Sequence, residues 1–307
     1  MKKGVVTKST GSWYHVFSDG EVLNCRLRGK FKLQGRKVTN PIAVGDEVMV
    51  EKELSGEQSW VIKEIKERKN YIIRESPRKK AHAHVIASNL DQALILATFK
   101  FPKTSLGFID RFLVTTEFYH IPAIIAFNKA DMLSEEELEE VAFILQSYEY
   151  IGYKTIMLSG QEGTNLDELN KLLSGKKTLI SGHSGVGKST LINRLVPEAQ
   201  QKVSEVSGFA NKGTHTTTFA EMFITDRDTA IIDTPGIKEF GLMDLEDNDL
   251  HLYFPEMRDL ADNCRFYNCT HTHEPGCAVL EALENAEINP DRYQSYLSML
   301  ENDDNRR

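Results

Sequence analysis

The chain has 307 residues, 40% of them apolar and 27% charged, with a net charge of -8. That is enough for two or three separate cores, and it excludes a disordered, collagen-like or disulfide-stapled miniature protein. No apolar run reaches the roughly 18 residues of a membrane-crossing helix, and the opening MKKGVVTKSTGSWYHV lacks the apolar core of a secretion signal, so a cytoplasmic protein without a membrane partner is expected.

The charge is unevenly spread. Residues 1–80 carry 18 Lys+Arg against 10 Asp+Glu, while residues 241–307 carry 5 against 15. A basic head on an acidic body points to a polyanion as the partner of the head.

The head reads as short β-segments. VVTKS, SWYHVFS, EVLNCRLRG, DEVMVEKEL and SWVIKEIKE are separated by Gly11, Asp19-Gly20, Gly35, Gly45-Asp46 and Ser55-Gly56. Such spacing predicts a small barrel, an OB-fold with an SH3-like barrel as the alternative. CRLRGKFKLQGRK (25–37) interleaves basic residues with Leu27, Phe31 and Leu33, which suits a cationic RNA-binding face. Trp13, Tyr14 and Phe31 are candidate base-stacking residues. Residues 66–84, basic and interrupted by Pro77, read as a linker.

Beyond it, apolar runs alternate with helical patterns. Strands are predicted at 93–99, 123–128, 154–159, 178–182, 219–225 and 230–236, with helices at 107–120 and 135–151. Ser134 and Glu137 form a capping box for the second helix, and Gly152 ends it. The alternation implies a mainly parallel, helix-covered sheet. The last segment reads as helical and acidic, interrupted by a cysteine cluster.

Four motifs lie on this framework. AIIAFNKAD ends in Asn128-Lys129-Ala130-Asp131. A carboxylate at Asp131 accepts from both guanine N1–H and the 2-amino group; adenine offers neither donor, so an unpaired carboxylate would penalise ATP by a few kcal/mol. Asn128 and the Lys129 stem would brace the loop and cover the base. Ser159-Gly160 can present a backbone N–H to guanine O6.

The second motif is GHSGVGKST, residues 182 to 190, with the G-x-x-x-x-G-K-[ST] spacing of a phosphate loop between a strand and a helix. The backbone of Gly182, His183, Ser184, Gly185, Val186 and Gly187 would cradle phosphates together with Thr190. Lys188 would neutralise the β- and γ-phosphates, and the Ser189 hydroxyl would face Mg²⁺. The third is IIDTPG, where Asp233 reaches Mg²⁺ through water and the Gly236 N–H meets the γ-phosphate. These elements run base reader, phosphate loop, D-x-x-G, a rotated order of the usual GTP-switch sequence.

Residues 208–222 between them are rich in Gly and Thr, as a γ-phosphate-ordered switch would be. Thr217 is chosen from Thr216, Thr217 and Thr218 as the Mg²⁺ contact. Ile237 stands where a water-orienting Gln is common, so His215, or alternatively His183, is the candidate to orient or deprotonate water. A non-hydrolysing, GTP-liganded RNA-binding module is the other reading of Ile237.

Fourth, Cys264, Cys269, His271 and Cys277 give C-x₄-C-x-H-x₅-C. Three thiolates and an imidazole suit a closed structural Zn²⁺ site, with His273 the alternative to His271.

SNLDQ, NKAD, GHSGVGKSTL, GTHTTT, DTPGIKEFGL and the cysteine pattern, in that order, resemble the ribosome small-subunit-dependent GTPase A family across nearly the whole chain. The resemblance implies an N-terminal all-β OB-fold (1–72), a circularly permuted α/β P-loop GTPase domain (73–240) and a mainly helical zinc-binding domain (241–307). It further implies GTP and GDP binding, weak hydrolysis stimulated by the 30S subunit in its late maturation, and contact with 16S rRNA. A monomer is expected. By the same resemblance Asn128, Lys129 and Asp131 read guanine, residues 182–190 hold phosphates, the three cysteines with His271 bind zinc, and His215 is the catalytic histidine. His183 departs from many relatives, which leaves binding intact and the local phosphate-loop chemistry open.

Overall fold

The computed structural model describes residues 1–27, 40–53, 59–75, 83–197, 220–226, 228–234 and 247–301.

The five N-terminal strands β1 (Lys2–Ser9), β2 (Trp13–Ser18), β3 (Glu21–Leu27), β4 (Glu47–Lys52) and β5 (Trp60–Ile65) follow the predicted segments. They pair in the order β1-β2-β3-β5-β4, and β4 pairs back onto β1. The β3–β5 pair is parallel. This closed five-strand ring is an OB-type barrel, which decides against the SH3-like alternative. Alternating inward residues fill it: Val6, Tyr14, Val16, Leu23, Cys25, Val48, Val50 and Ile62. Tyr14 is therefore a core residue, not a stacking surface. Its neighbour Trp13 points the other way, as strand pleating requires, and lies under the Arg26 guanidinium at 5.2 Å. Burial pushes the Cys25 thiol up to about 12, so it is an inert core thiol. Most of the basic segment 25–37, including Phe31 and Leu33, lies outside the described residues.

The expected linker is instead partly sheet. β6 (Tyr71–Glu75) and β7 (Ala83–Ser88) form an antiparallel pair. The basic composition hid a short apolar pattern: Ile72 and Ile73 are buried, as are Val85 and Ala87 just beyond the expected linker. Asp46, fully buried, fastens this pair to the barrel; it takes two bonds from Arg68, at 2.6 and 2.7 Å, and one from the Ser88 hydroxyl at 2.6 Å.

The central sheet is built from β8 (Gln92–Thr98), β9 (Ala123–Asn128), β10 (Lys154–Met157), β11 (Lys177–Ser181), β12 (Glu221–Ile224) and β13 (Ala230–Asp233), ordered β10-β9-β8-β11-β13-β12. All neighbours are parallel except β12, which runs antiparallel to β13. β12 also pairs with β1 at Lys8 and Glu221, whose side chains form a 2.9 Å ion pair, so barrel and sheet are continuous.

Residues of alternate parity along the strands cover opposite faces. Ala93, Ile95, Ile125 and Phe127 pack on α1 (Leu106–Phe118) and α2 (Glu135–Ile151); Leu94, Leu96, Ile124 and Ala126 pack on α3 (Leu166–Leu173) and α4 (Lys188–Leu195). α2 starts with the predicted capping box at Ser134 and Glu137 and stops at Gly152, whose φ of 107° is the left-handed cap glycine adopts without a Cβ penalty. Because β8 and β11 are neighbours while the chain first walks outward through β9 and β10, a crevice opens at the carboxyl ends of β8, β9 and β11.

Behind α1 sits a small helical unit. A 3₁₀ segment (Asp247–Tyr253) leads to α5 (Pro255–Ala261), α6 (Ala278–Glu284) and α7 (Pro290–Leu300). Its core of Leu250, Phe254, Met257, Val279, Ala282, Ile288, Tyr296 and Met299 includes Cys269 and Cys277 and receives Val114 from α1. No described helix is long and apolar enough to cross a membrane.

Candidate functional site

The crevice gathers the sequence-predicted groups from three loops. Asn128, the last residue of β9, is buried and bonds in two directions: its Nδ2 donates to Val186 O in the phosphate loop at 2.8 Å, and its Oδ1 accepts from Gly160 N at 2.8 Å. Lys129 follows with φ 68°, and its Nζ donates to Gly185 O at 2.7 Å and to Phe101 O at 2.5 Å. One two-residue step thus ties the NKAD loop to a phosphate loop more than 50 positions later. Gly187 permits that closeness. Its φ is 93°, and a Cβ there would lie 2.5 Å from Asn128 Nδ2.

Asp131 sits in the 3₁₀ turn Ala130–Met132 with its carboxylate exposed. Ser159 Oγ donates to Asp131 Oδ1 at 2.5 Å and accepts from Glu162 N at 3.0 Å, which fixes both loops on the base side.

On the phosphate side, Ser181 of β11 leads into Gly182, and α4 begins at Lys188. Ser184, Gly185, Ser189 and Thr190 are exposed along this loop, while Gly182 and Val186 are buried. The first turn of α4 presents N–H groups that have no helical partner, a natural anion seat. Lys188 Nζ lies 2.7 Å from Asp233 Oδ1 and also bonds Thr234 O. The ammonium and the carboxylate are therefore mutually neutralised, and a triphosphate would have to compete for the lysine, which releases Asp233. His183 stacks on Phe108 of α1, with ring centroids 3.7 Å apart and planes 30° from parallel. His215, Thr216, Thr217, Thr218, Gly236 and Ile237 lie outside the described residues.

The cysteine cluster is assembled between α5 and α6. Cys264, Cys269, His271 and Cys277 bring one donor atom each to within 4.8 Å of one another. His271 Nδ1 is 3.4 Å from Cys277 Sγ and 3.6 Å from Cys264 Sγ, and the latter two sulfurs are 3.9 Å apart. A tetrahedral centre with about 2.3 Å to sulfur and about 2.0 Å to nitrogen has edges of roughly 3.5 to 3.8 Å. The donor set therefore fits a four-coordinate metal ion. Burial pushes the Cys269 thiol up to about 12 and lowers His271 to about 4. Neutral imidazole is the ligand form, and a bound cation is what would stabilise the thiolates.

His271 is buried and faces the sulfurs, whereas His273 is exposed and bonds Thr272, so His271 is the member of the cluster. Sequence reading missed what orients it. The carboxylate of Glu274 accepts from the N–H groups of Thr270, Thr272 and His273 and from the Thr270 hydroxyl. Burial opposes that charge, but these bonds outweigh it and hold the carboxyl well below its usual range. Tyr293 and Tyr296 bond His271 O and Thr270 O at 2.8 and 2.7 Å. A Thr-His-Thr-His-Glu run is the only local hint of this brace.

Comparison with known proteins places this geometry. Residues 65–243 match the family described as RsgA GTPase, and residues 3–60 match the RsgA N-terminal domain. The chain belongs to the RsgA GTPase family. It is 49% identical over 300 residues to "Small ribosomal subunit biogenesis GTPase RsgA 2" of Bacteroides thetaiotaomicron, covering 97% of this chain and 96% of that one. With the relative of the same name, without the numeral, from Cytophaga hutchinsonii, identity is 50% over 299 residues and 97% of each chain is covered. Among solved structures, YjeQ from Thermotoga maritima matches with TM-score 0.76 at 33% identity over 98% of both chains. YloQ, titled a circularly permuted GTPase, matches with TM-score 0.75 at 28% identity over 98% of this chain and 94% of that one. The family's permuted order is the order of elements seen here, and the chain is a GTPase by membership.

Asp131→Asn tests the base reader. The amide replaces one acceptor by a donor, so GTP affinity is expected to fall roughly a hundredfold while the fold is kept. Competition binding of GTP against other purine triphosphates reads this, and undiminished GTP selectivity would remove Asp131 from the role.

Proposed function

We propose that the protein is a GTP hydrolase of late small-subunit assembly that binds the 30S particle through rRNA and couples its nucleotide state to association and release. The observation that carries this reading is the pair of hydrogen bonds at Asn128, one donated to Val186 O and one accepted from Gly160 N, which closes the base-reading loops and the phosphate loop around one crevice. Guanine is read by Asp131, with Asn128 and Lys129 bracing and Ser159-Gly160 on the other edge. Residues 182–190 hold the phosphates, and Gly236 meets the γ-phosphate.

Mg²⁺ bound with GTP would neutralise phosphate charge, and Ser189, Thr217 and Asp233 are the residues that would hold it. Lys188 leaves Asp233 for the β- and γ-phosphates. Developing charge on the γ-phosphoryl oxygens is then met by the lysine and the backbone N–H groups of the loop. His215 orients the attacking water, since Ile237 has no group to do so. The cluster at 264–277 holds one structural zinc; three thiolates with one imidazole favour zinc over harder cations. The basic barrel meets 16S rRNA, and the protein acts as a cytoplasmic monomer.

Steady-state phosphate release with and without purified 30S particles tests the enzyme. Slow release alone and at least a tenfold rise with 30S are expected, and His215→Ala should cut the stimulated rate about 10²- to 10⁴-fold with little change in GTP affinity. No release under either condition would leave GTP as a structural ligand, the reading that Ile237 favours. An unaltered rate in His215→Ala would assign water orientation elsewhere.

A further inference from the structure

The outer face of α2 is unlike the rest of the sheet's covering. Phe143 and Tyr150 stand 72% and 84% exposed, two turns apart. On the same stripe, ahead of them, Glu136, Glu139 and Glu140 are exposed. Among the described residues none of these three carboxylates has an ion-pair partner, whereas Glu137, turned aside, is paired with Lys100. Phe143 and Tyr150 thus share one helix face with three carboxylates of like sign.

The stripe leads into a cavity of about 80 Å³ where α1, α2 and α7 meet, lined by Phe143, Ser147, Tyr148, Asp110, Asp291 and Arg292. Its volume is that of two to three waters, which also suits an ammonium or guanidinium head. Asp110 is fully buried. Its Oδ1 takes the Tyr148 hydroxyl at 2.8 Å and Arg292 Nη1 at 2.7 Å, while Oδ2 has no hydrogen-bond partner. Arg292 is shared, because Glu256 also binds it, at 2.8 and 3.1 Å. Two carboxylates, Asp110 fully buried and Glu256 12% exposed, thus share one guanidinium. Burial pushes the Asp110 carboxyl up, and Arg292 together with the Ser295 and Tyr148 hydroxyls only partly offsets this.

A shallow groove over Glu136, Glu139 and Glu140 shares Phe143 and Ile144 with the cavity, so the two form one track. From Glu136 to Ser147 it runs about 16 Å at the helical rise, the span of about five extended residues. We infer that this track is a docking site for a lysine- or arginine-rich protein segment of about five residues, with an apolar side chain on Phe143 and one cationic head in the cavity against Asp110. Charge complementarity selects that occupant: a nucleic-acid backbone is repelled by the glutamate stripe, while a basic peptide is attracted along it and satisfied at its end.

The probe is a fluorescein-labelled Lys-Lys-Leu-Arg-Lys-Lys peptide, read by anisotropy against the full chain at physiological salt. Micromolar binding is expected, about tenfold or more weaker in E136K/E140K, in Phe143→Ala and in Ser147→Met, which fills the cavity. E281K/E284K makes the same change in net charge on exposed positions of α6 and should bind as the parent does. Absence of binding overturns the inference, as does equal weakening in E281K/E284K, which would mean attraction to net charge alone. Binding indifferent to Phe143→Ala and Ser147→Met, with the cavity then merely hydrated, also overturns it. So does a labelled oligouridylate that binds the parent and is lost with Phe143→Ala, since the face would then be an RNA surface.

Discussion

Removing the metal from the cysteine cluster is expected to melt the C-terminal helical unit while the central sheet stays folded. α5, α6 and α7 span only seven, seven and eleven residues, too short to persist alone. Their shared core contains Cys269 and Cys277, so two ligands are also core residues. A unit of this size needs a staple, and structural zinc supplies on the order of 10–16 kcal/mol at neutral pH. Without it the cluster keeps three clustered thiols, two of which, Cys269 and Cys277, burial opposes ionising, with little else to hold them. Cys277→Ala should therefore lose the metal outright, and Cys264→Ala likewise. Elemental analysis should show the cluster's bound metal reduced to near none, and limited proteolysis should open residues 247–301 first. Full metal content in Cys277→Ala would take that residue out of the ligand set. Intact proteolytic resistance after chelation would show that α1 packing alone holds the unit.

What could be read from the sequence followed one physical line: signals that act locally, or that burial writes along a strand, were legible. β8 is buried at all seven positions, so it reads as an unbroken apolar run. The Ser134–Glu137 box spans one turn and needs no knowledge of the fold. The phosphate loop, NKAD and the cysteine pattern were legible because spacing itself is their chemistry. Where the outcome depended on distant partners, the sequence misled or was silent. Ile72 and Ile73 were passed over among basic residues because their burial comes from Ala87 and Val85 on the partner strand and from Val44 and Ala43. Trp13 and Tyr14 are adjacent aromatics, and only the barrel's closure decides which one faces inward. His271 and His273 are equivalent by spacing; the choice is made by Glu274 and two tyrosines of α7, 20 or more positions on. Asp110 and Arg292, 182 positions apart, each look like an ordinary surface charge on an amphipathic helix.

That last pair carries the second large expectation, a loss of about 3–5 kcal/mol in Arg292→Ala. Arg292 is 2% exposed, and burial works against its charge, but Asp110 and Glu256 outweigh this and hold the guanidinium well above its ordinary range. Its plane also lies over the Phe254 ring at 4.7 Å, so truncation removes packing as well. The decisive quantity is what remains. Without Arg292, Asp110 and Glu256 face each other's field with no cation, and fully buried Asp110 borders only the small cavity beside it. The cost is thus chiefly that of stranded carboxylates, not of a lost attraction. It follows that replacing all three charges by apolar residues of similar size, Arg292→Met with Asp110→Leu and Glu256→Met, should recover most of the stability, because the desolvation of three ions is avoided together with their pairing. Urea unfolding of the parent, the single variant and the triple variant reads both expectations. A triple variant as weak as Arg292→Ala would mean that the ion network contributes net stability where the helical unit meets α1, and that charge there is not merely tolerated.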